Sequence, residues 1–354
     1  MSLSYQTAIH STFFKRTLAS LPTPVSEHQK YATKHDLESF LIKQDDLTSS
    51  IYGGNKIRKL EFLLGEAISK GAKEVITFGS TGSNHALATA LMAQRCGLMA
   101  HLVLMPQPIS SYVKDNLKWD AVTNAVLHYT PDYPKQLSYA KWLRWKRFFL
   151  TGKFPYVIPV GGTCPLGCLG FVNAALEMDL QLASHAFPDF IYAPFGSMGT
   201  CVGLAAGMAL MRKKCKIIGV RVVPDIVANL PNAINLYKQI EALLNQAGIK
   251  TDFAPLTDYL TIRDEFLGDG YGVITDESAN ALDTAKAQFD MHMDGTYGGK
   301  AFACVLQDID KKAVEGKKVM FYQTKSSASY PESAKDVSYK TLPQAFHHIF
   351  ETDI

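Results

Sequence analysis

One local pattern narrows the fold of this chain more than any other feature: a short β-branched apolar run, a turn rich in Gly and Ser, then a helix pattern built from small residues. Lys73 to Phe78 (KEVITF) predicts a strand, GSTGSN a turn, and Ala86 to Arg95 a helix with Gly97 at its C-terminal end. His101 to Leu104 predicts the next strand, stopped by Pro106 and Pro108. The unit returns as Phe190 to Ala193, the turn PFGSMGT, a helix over Cys201 to Arg212 and a strand over Cys215 to Val223. Strands that are apolar along their length suit a parallel sheet covered on both faces, so the pattern predicts an α/β fold.

At roughly 150 residues per domain, 354 residues predict about two domains, and 47% hydrophobic content can fill both cores. The balance of 36 Lys+Arg against 33 Asp+Glu leaves +3, too little for a protein whose main task is neutralising phosphates, so no nucleic-acid partner is expected. The six cysteines (96, 164, 168, 201, 215, 304) show no CxxC pair, and the ten histidines are scattered, with His347 and His348 far from any cysteine. No metal site is expected, and the cysteines read as reduced thiols, Cys164 and Cys168 in the core. The N-terminus lacks an apolar signal region and no stretch approaches the roughly 18 apolar residues of a membrane span, so a cytoplasmic protein without a membrane partner is expected.

The segment from Pro131 to Pro155 holds KWLRWKRFFLTGK, with two of the three tryptophans. A membrane-surface or partner-binding helix is one reading. The plainer one, preferred on the sequence, is a solvated helix face over a half-buried aromatic stripe.

Three motifs carry chemistry. In IYGGNKIRKLE, from Ile51 to Glu61, two glycines precede Asn55 and Lys56, and a helix pattern starts at once. Lys56 would sit at a helix N-terminus, where the dipole disfavours the ammonium and pushes it toward the neutral, nucleophilic amine. The alternative is a lysine that merely snorkels. In GSTGSNH, from Gly79 to His85, a hydroxyl, an amide and an imidazole emerge where a strand ends and a helix begins, a place that binds polar ligands in open α/β sheets. Ser83 or Asn84 could equally be an N-cap. In GSMGT, from Gly196 to Thr200, backbone N–H groups and two hydroxyls can cradle a phosphate at the start of a helix. This last motif matches neither GxGxxG nor GxxxxGK[ST], which removes the best support for a nicotinamide dehydrogenase or a nucleotide-triphosphate enzyme. A lysine amine, a Ser-Asn pair and a phosphate cup together suggest pyridoxal phosphate, whose aldehyde, ring hydroxyl and phosphate need those partners.

The chain resembles the tryptophan-synthase-β-like, fold type II pyridoxal-phosphate enzymes, and within them the branch of 1-aminocyclopropane-1-carboxylate (ACC) deaminase and D-cysteine desulfhydrase. The likeness runs from about Leu21 to Thr324 through ordered motifs: GGNKIRKLE, GSTGSNHA, VGGTCPLGCLGF (Val160 to Phe171), FGSMGT, GDGYGV (Gly268 to Val273) and MDGTYGGKA (Met293 to Ala301). It implies a two-domain open twisted parallel-sheet α/β fold, with residues 1–56 plus 173–354 as a large cofactor-binding domain, 57–172 as a small inserted one and the cofactor in the cleft between them. It also implies a homodimer and a small amino-acid substrate. By the same resemblance Lys56 forms the Schiff base with the cofactor and Lys59 reaches its phosphate. Asn84 bonds the ring hydroxyl, while Ser83 and His85, beside Asn84, line the substrate carboxylate site. Gly196, Ser197, Met198, Gly199 and Thr200 hold the phosphate, and Tyr271 and Tyr297 stand near the substrate.

Departures from the family pattern bear on the substrate. ACC deaminases usually carry Glu directly after the second tyrosine and Leu in a later segment near the ring nitrogen; desulfhydrases carry Ser or Thr, then Thr. Here Gly298 follows Tyr297 and fits neither pattern, and Thr324 stands in FYQTKSS. A carboxylate at the ring nitrogen would keep it protonated, whereas a hydroxyl leaves it neutral. Thr324 and the missing Glu point to β-elimination from D-cysteine, with ACC deamination as the alternative and racemisation or serine elimination behind both. Lys325 and Ser326 replace a pair of glycines and Phe171 replaces a tyrosine. These changes leave room for a catalytically silent homologue that binds the cofactor.

Overall fold

The computed structural model describes residues 1–182 and 187–352. Among the described residues the strands are β1 (Val25–Glu27), β2 (Ser39–Gln44), β3 (Glu74–Ser80), β4 (Met99–Met105), β5 (Val126–Tyr129), β6 (Tyr156–Val157), β7 (Phe190–Phe195), β8 (Lys216–Arg221), β9 (Leu260–Arg263) and β10 (Lys318–Gln323). They form two sheets, in the orders β1-β2-β10-β7-β8-β9 and β5-β4-β3-β6. Every pairing is parallel except β1 with β2. The fold is the α/β arrangement with parallel sheets that the strand–turn–helix pattern predicts.

Residues 1–13, 19–59 and 163–327 make a first compact unit, and residues 14–18, 60–162 and 328–354 a second. The sequence reading places residues 328–354 with the larger domain; here they cluster with the smaller unit.

In the first unit the central register runs Ile42, Phe321, Tyr192, Ile218 across β2, β10, β7 and β8. Phe302, Phe321 and Phe40 are buried in the core on this sheet. Helix Gly199–Met211 packs on helix Pro165–Gln181 so closely that a Cβ at Gly203 would meet that of Phe171 at 2.6 Å, and one at Gly207 that of Ala175 at 2.3 Å. Only glycine allows this approach at those two positions. In the second unit Phe78 of β3 lies opposite Val103 of β4, and Ala140 and Leu143 of helix Tyr133–Thr151 cover them.

That helix departs from the preferred reading of its sequence. Its inward positions go to Gln136, Ala140 and Leu143, while Trp142 and Trp145 are 51% and 53% exposed, so the aromatic stripe faces solvent. None of the six cysteines forms a disulfide; Cys168 is buried and Cys164 only partly so.

Candidate active site

Helix Lys56–Ser69 begins at Lys56, as the glycines ahead of it predict. Gly54 has φ +94°, and a Cβ there would meet the Thr324 carbonyl oxygen at 2.8 Å. The backbone therefore doubles back tightly enough for the Asn55 N–H to donate to Thr324 O at 3.0 Å. Ser326 completes the turn by accepting from the Gly53 N–H at 2.9 Å through its hydroxyl. The segment without paired glycines still closes on residues 53–55, with a serine hydroxyl as the link.

One turn into the helix, Arg58 is buried with both faces of its guanidinium engaged. Nε and Nη2 donate to Asp45 at 2.7 and 2.8 Å, and Nη1 and Nη2 to Glu177 at 3.0 and 2.9 Å. The Tyr322 hydroxyl donates to Asp45 at 2.7 Å, and Lys43 pairs with Glu177. Two cations and two carboxylates thus balance in the interior and fix the start of the helix against β2, β10 and helix Pro165–Gln181.

Lys56 is half-buried and Lys59 wholly so. Burial, with the Lys59 charge adding to it, brings the Lys56 amine down to about 7; Asp294 and Cys201 oppose the shift. Burial also lowers Lys59. The Lys59 ammonium donates to the Thr163 hydroxyl at 2.9 Å, which donates to the Ser197 hydroxyl at 2.9 Å. Asn55 Nδ2 donates to the Thr200 hydroxyl at 3.0 Å.

These groups converge at the start of helix Gly199–Met211, which has no side-chain N-cap. Met198 just before it has φ +67°, the left-handed conformation that turns the chain into the helix. A Cβ at Gly199 would meet Lys59 Nζ at 2.5 Å and Thr163 Oγ1 at 2.8 Å, so the cup is shaped around the absence of a side chain. An ammonium, three hydroxyls and uncapped helix N–H groups match a phosphate in charge and in donor geometry.

Tyr297 caps helix Gly298–Asp310, and its hydroxyl lies 2.8 Å from that of Tyr271. Its N–H donates to Asp294 at 2.6 Å. Burial first, then the neighbouring Tyr271, holds the Tyr297 phenol far above its usual range, and burial raises Asp294. Lys300 is fully buried and donates to the carbonyl oxygens of Leu267 and Gly270, at 2.6 and 3.1 Å, which pins the Tyr271 loop. Thr324 is buried just past the end of β10.

In the second unit the GSTGSNH turn leaves the C-terminal end of β3. Ser83 is the N-cap of helix Asn84–Arg95 and accepts from the Ala86 N–H at 3.2 Å. Asn84 accepts a hydrogen bond from the Tyr112 hydroxyl. His85 is buried, with Nε2 2.9 Å from the Thr77 hydroxyl of β3. The turn is braced by Asn116, which donates to Gly82 O at 2.9 Å and accepts from the Tyr330 hydroxyl at 2.6 Å.

The first unit thus brings together Lys56, Lys59, residues 196–200, Tyr271, Tyr297 and Thr324; the second holds Ser83, Asn84 and His85 on one turn. Sequence reasoning missed Asn55, Thr163, Asp294, Lys300 and Tyr112. Asn55, Thr163, Asp294 and Lys300 stand inside recognised motifs and could have been read from them; Tyr112 carries no local signal. Among the described residues no group of three or more His, Cys, Asp or Glu could hold a metal ion.

Comparison with known proteins agrees with this chemistry. The family model described as pyridoxal-phosphate dependent enzyme matches residues 16–324. A protein of Pyrococcus horikoshii provisionally named 1-aminocyclopropane-1-carboxylate deaminase is 36% identical over 290 residues, 80% of this chain and 83% of the relative. One of Thermotoga maritima with the same provisional name is 32% identical over 291 residues, 82% and 90%. The crystal structure of an ACC deaminase homologue superposes with TM-score 0.79 at 31% identity, covering 91% of this chain and 94% of that one. Threonine deaminase isoform 2 of Solanum lycopersicum shares the fold alone, with TM-score 0.60 at 16% identity over 99% and 87% of the two chains. The chain therefore belongs to the pyridoxal-phosphate dependent enzymes, in the ACC deaminase-like branch of fold type II, with pyridoxal phosphate as its cofactor.

Proposed function

We propose that this enzyme is a lyase or deaminase of a small amino acid, and that D-cysteine is its substrate, converted with one water to pyruvate, ammonia and hydrogen sulfide. The observation that carries the choice is Thr324, buried just past the end of β10 at the position where desulfhydrases carry Thr and ACC deaminases Leu. Gly298, which directly follows Tyr297, fits neither branch: a Cβ there would already meet the Met293 Cβ at 3.0 Å, which crowds the glutamate of the one and the Ser or Thr of the other alike.

When bound, pyridoxal phosphate supplies an electron sink for a bond broken at the amino acid's Cα. Lys56 would hold it through Nζ; Lys59, Thr163, Ser197, Gly199 and Thr200 would hold its phosphate. Asn84 would orient the ring hydroxyl, Ser83 and His85 would face the substrate carboxylate, and Thr324 would stand at the ring nitrogen. Near neutral pH the lowered Lys56 amine can accept a proton at Nζ and return it. Tyr297 stays protonated, so the Tyr271–Tyr297 pair can donate a hydrogen bond to a departing group as charge builds on it.

ACC deamination to 2-oxobutanoate and ammonia is the second reading, favoured by the relatives' provisional name. The cytoplasmic location and the homodimer that the resemblance implies belong to the same proposal. The test incubates the purified enzyme separately with D-cysteine, L-cysteine and ACC, assaying sulfide, pyruvate and 2-oxobutanoate. Sulfide and pyruvate from D-cysteine, abolished in Lys56→Ala, are expected. Formation of 2-oxobutanoate from ACC without sulfide from D-cysteine puts the second reading first, and a protein that binds the cofactor yet turns over none of the three is a silent homologue.

A further inference from the structure

Helix Tyr133–Thr151 has two apolar stripes, and only one is covered. Gln136, Ala140 and Leu143 face inward. At 3.6 residues per turn Trp142, Trp145 and Phe149 fall on the opposite side, where they are 51%, 53% and 78% exposed. Lys141 flanks this outer stripe on one side and Lys146 on the other, with the Lys146 ammonium 4.7 Å from the centre of the Trp142 ring. From Tyr133 to Phe154 the sequence has six Lys and Arg and no Asp or Glu. Among those six, Arg147 alone forms an ion pair with a described residue, Glu74.

We propose that this helix lies flat on a membrane surface rich in anionic lipid. Trp142, Trp145 and Phe149 enter the acyl boundary, and the flanking lysines stand at headgroup phosphates. Charge complementarity selects this occupant. An acidic bilayer offers an apolar layer and negative charge side by side, which is what an aromatic stripe between rows of cations requires. A second copy docked symmetrically on the same face would set the flanking lysines of one copy against those of the other. A single-stranded nucleic acid calls for a cationic groove that follows its backbone, whereas this face is one convex helix with its aromatic side chains along the crest. No described helix is long and apolar enough to cross a membrane, so the contact is peripheral.

The test sediments the full chain, loaded with its cofactor, with vesicles of phosphatidylcholine alone or mixed with phosphatidylserine, at low and at physiological salt. One variant replaces Trp142, Trp145 and Phe149 with Ser; a second is Lys141→Glu with Lys146→Glu. All five positions are exposed, so both variants should fold, which circular dichroism checks. The expected result is sedimentation with the serine-lipid vesicles only, weakened by salt and reduced about tenfold or more in either variant. Tryptophan emission should shift to the blue on binding, because Trp119, the third tryptophan, is buried and contributes no change. Absence of binding to the acidic vesicles at low salt, or binding undiminished in the Trp/Phe variant, overturns the proposal. So does a dimer that the Trp/Phe variant dissociates, or a preference for single-stranded oligonucleotide over vesicles.

Discussion

The hydroxyls of Tyr271 and Tyr297 lie 2.8 Å apart, and Lys300, on the helix that Tyr297 caps, ties the Tyr271 loop to that helix through the carbonyl of Gly270. The two phenols form one proton-bearing unit. Tyr271→Phe and Tyr297→Phe should each lower kcat by about 10²-fold or more, and the double variant should lose less than the product of the two. Steady-state rates with D-cysteine, the substrate proposed above, check this. Additive losses would separate the two roles.

Lys56 has an amine lowered to about 7, so about half of it is neutral at neutral pH while exposed lysines stay charged. In the cofactor-free protein an amine-selective reagent should label Lys56 well before exposed lysines such as Lys70, with a rate that rises through pH 7 and then levels. Peptide mapping by mass spectrometry reads this directly.

Asp45 and Arg58 form a buried pair at 2.7 Å whose other partners are Glu177 and Tyr322. Asp45→Ala leaves the buried guanidinium with one carboxylate and should cost about 3–5 kcal/mol. Urea unfolding should show an earlier midpoint. An unchanged midpoint would mean that the network contributes nothing to stability.

In the second unit a chain of hydrogen bonds runs from Glu74 through His101 and His128 to Tyr139. Burial lowers both histidines, His128 to about 4, with His101 and Lys146 adding to its shift. Between the ordinary value of 6.5 and about 4 the unfolded chain binds protons that the folded unit refuses. Stability from these groups is therefore full above 6.5 and falls as the pH drops through that window. Melting temperatures between pH 8 and pH 4 should decline more steeply in the native enzyme than in His128→Gln.

Gly199→Ala forces a methyl group to within 2.5 Å of the Lys59 ammonium. Cofactor affinity should fall at least about tenfold while the fold survives, measured by fluorescence titration with pyridoxal phosphate. Thr200→Ala, which only removes a hydroxyl, should cost less.

Much of the site was legible because its signals are local. Glycines next to Lys56 and at Gly199, and the Ser-Asn pair after β3, state their backbone positions within a few residues. The network of Asp45, Arg58 and Glu177 was not, because Glu177 lies 119 positions from the arginine and nothing in the segments of Asp45 or Glu177 announces a partner. Helix Tyr133–Thr151 shows a second limit. Its sequence carries two stripes at helical spacing, and periodicity does not say which one the sheet will cover. Gln136, Ala140 and Leu143 won because smaller side chains let the helix sit closer to Phe78 and Val103.

The brace from Tyr330 through Asn116 to Gly82 bears on how the protein is made. A nascent chain carrying all four strands of the second sheet still lacks the tyrosine that holds Asn116 on the GSTGSNH turn, because about 170 further positions must be synthesised first. Neither unit is a continuous stretch of polypeptide. Synthesis in one direction therefore cannot finish one before it has produced most of the other, and the final shaping of the turn falls after elongation has passed Tyr330.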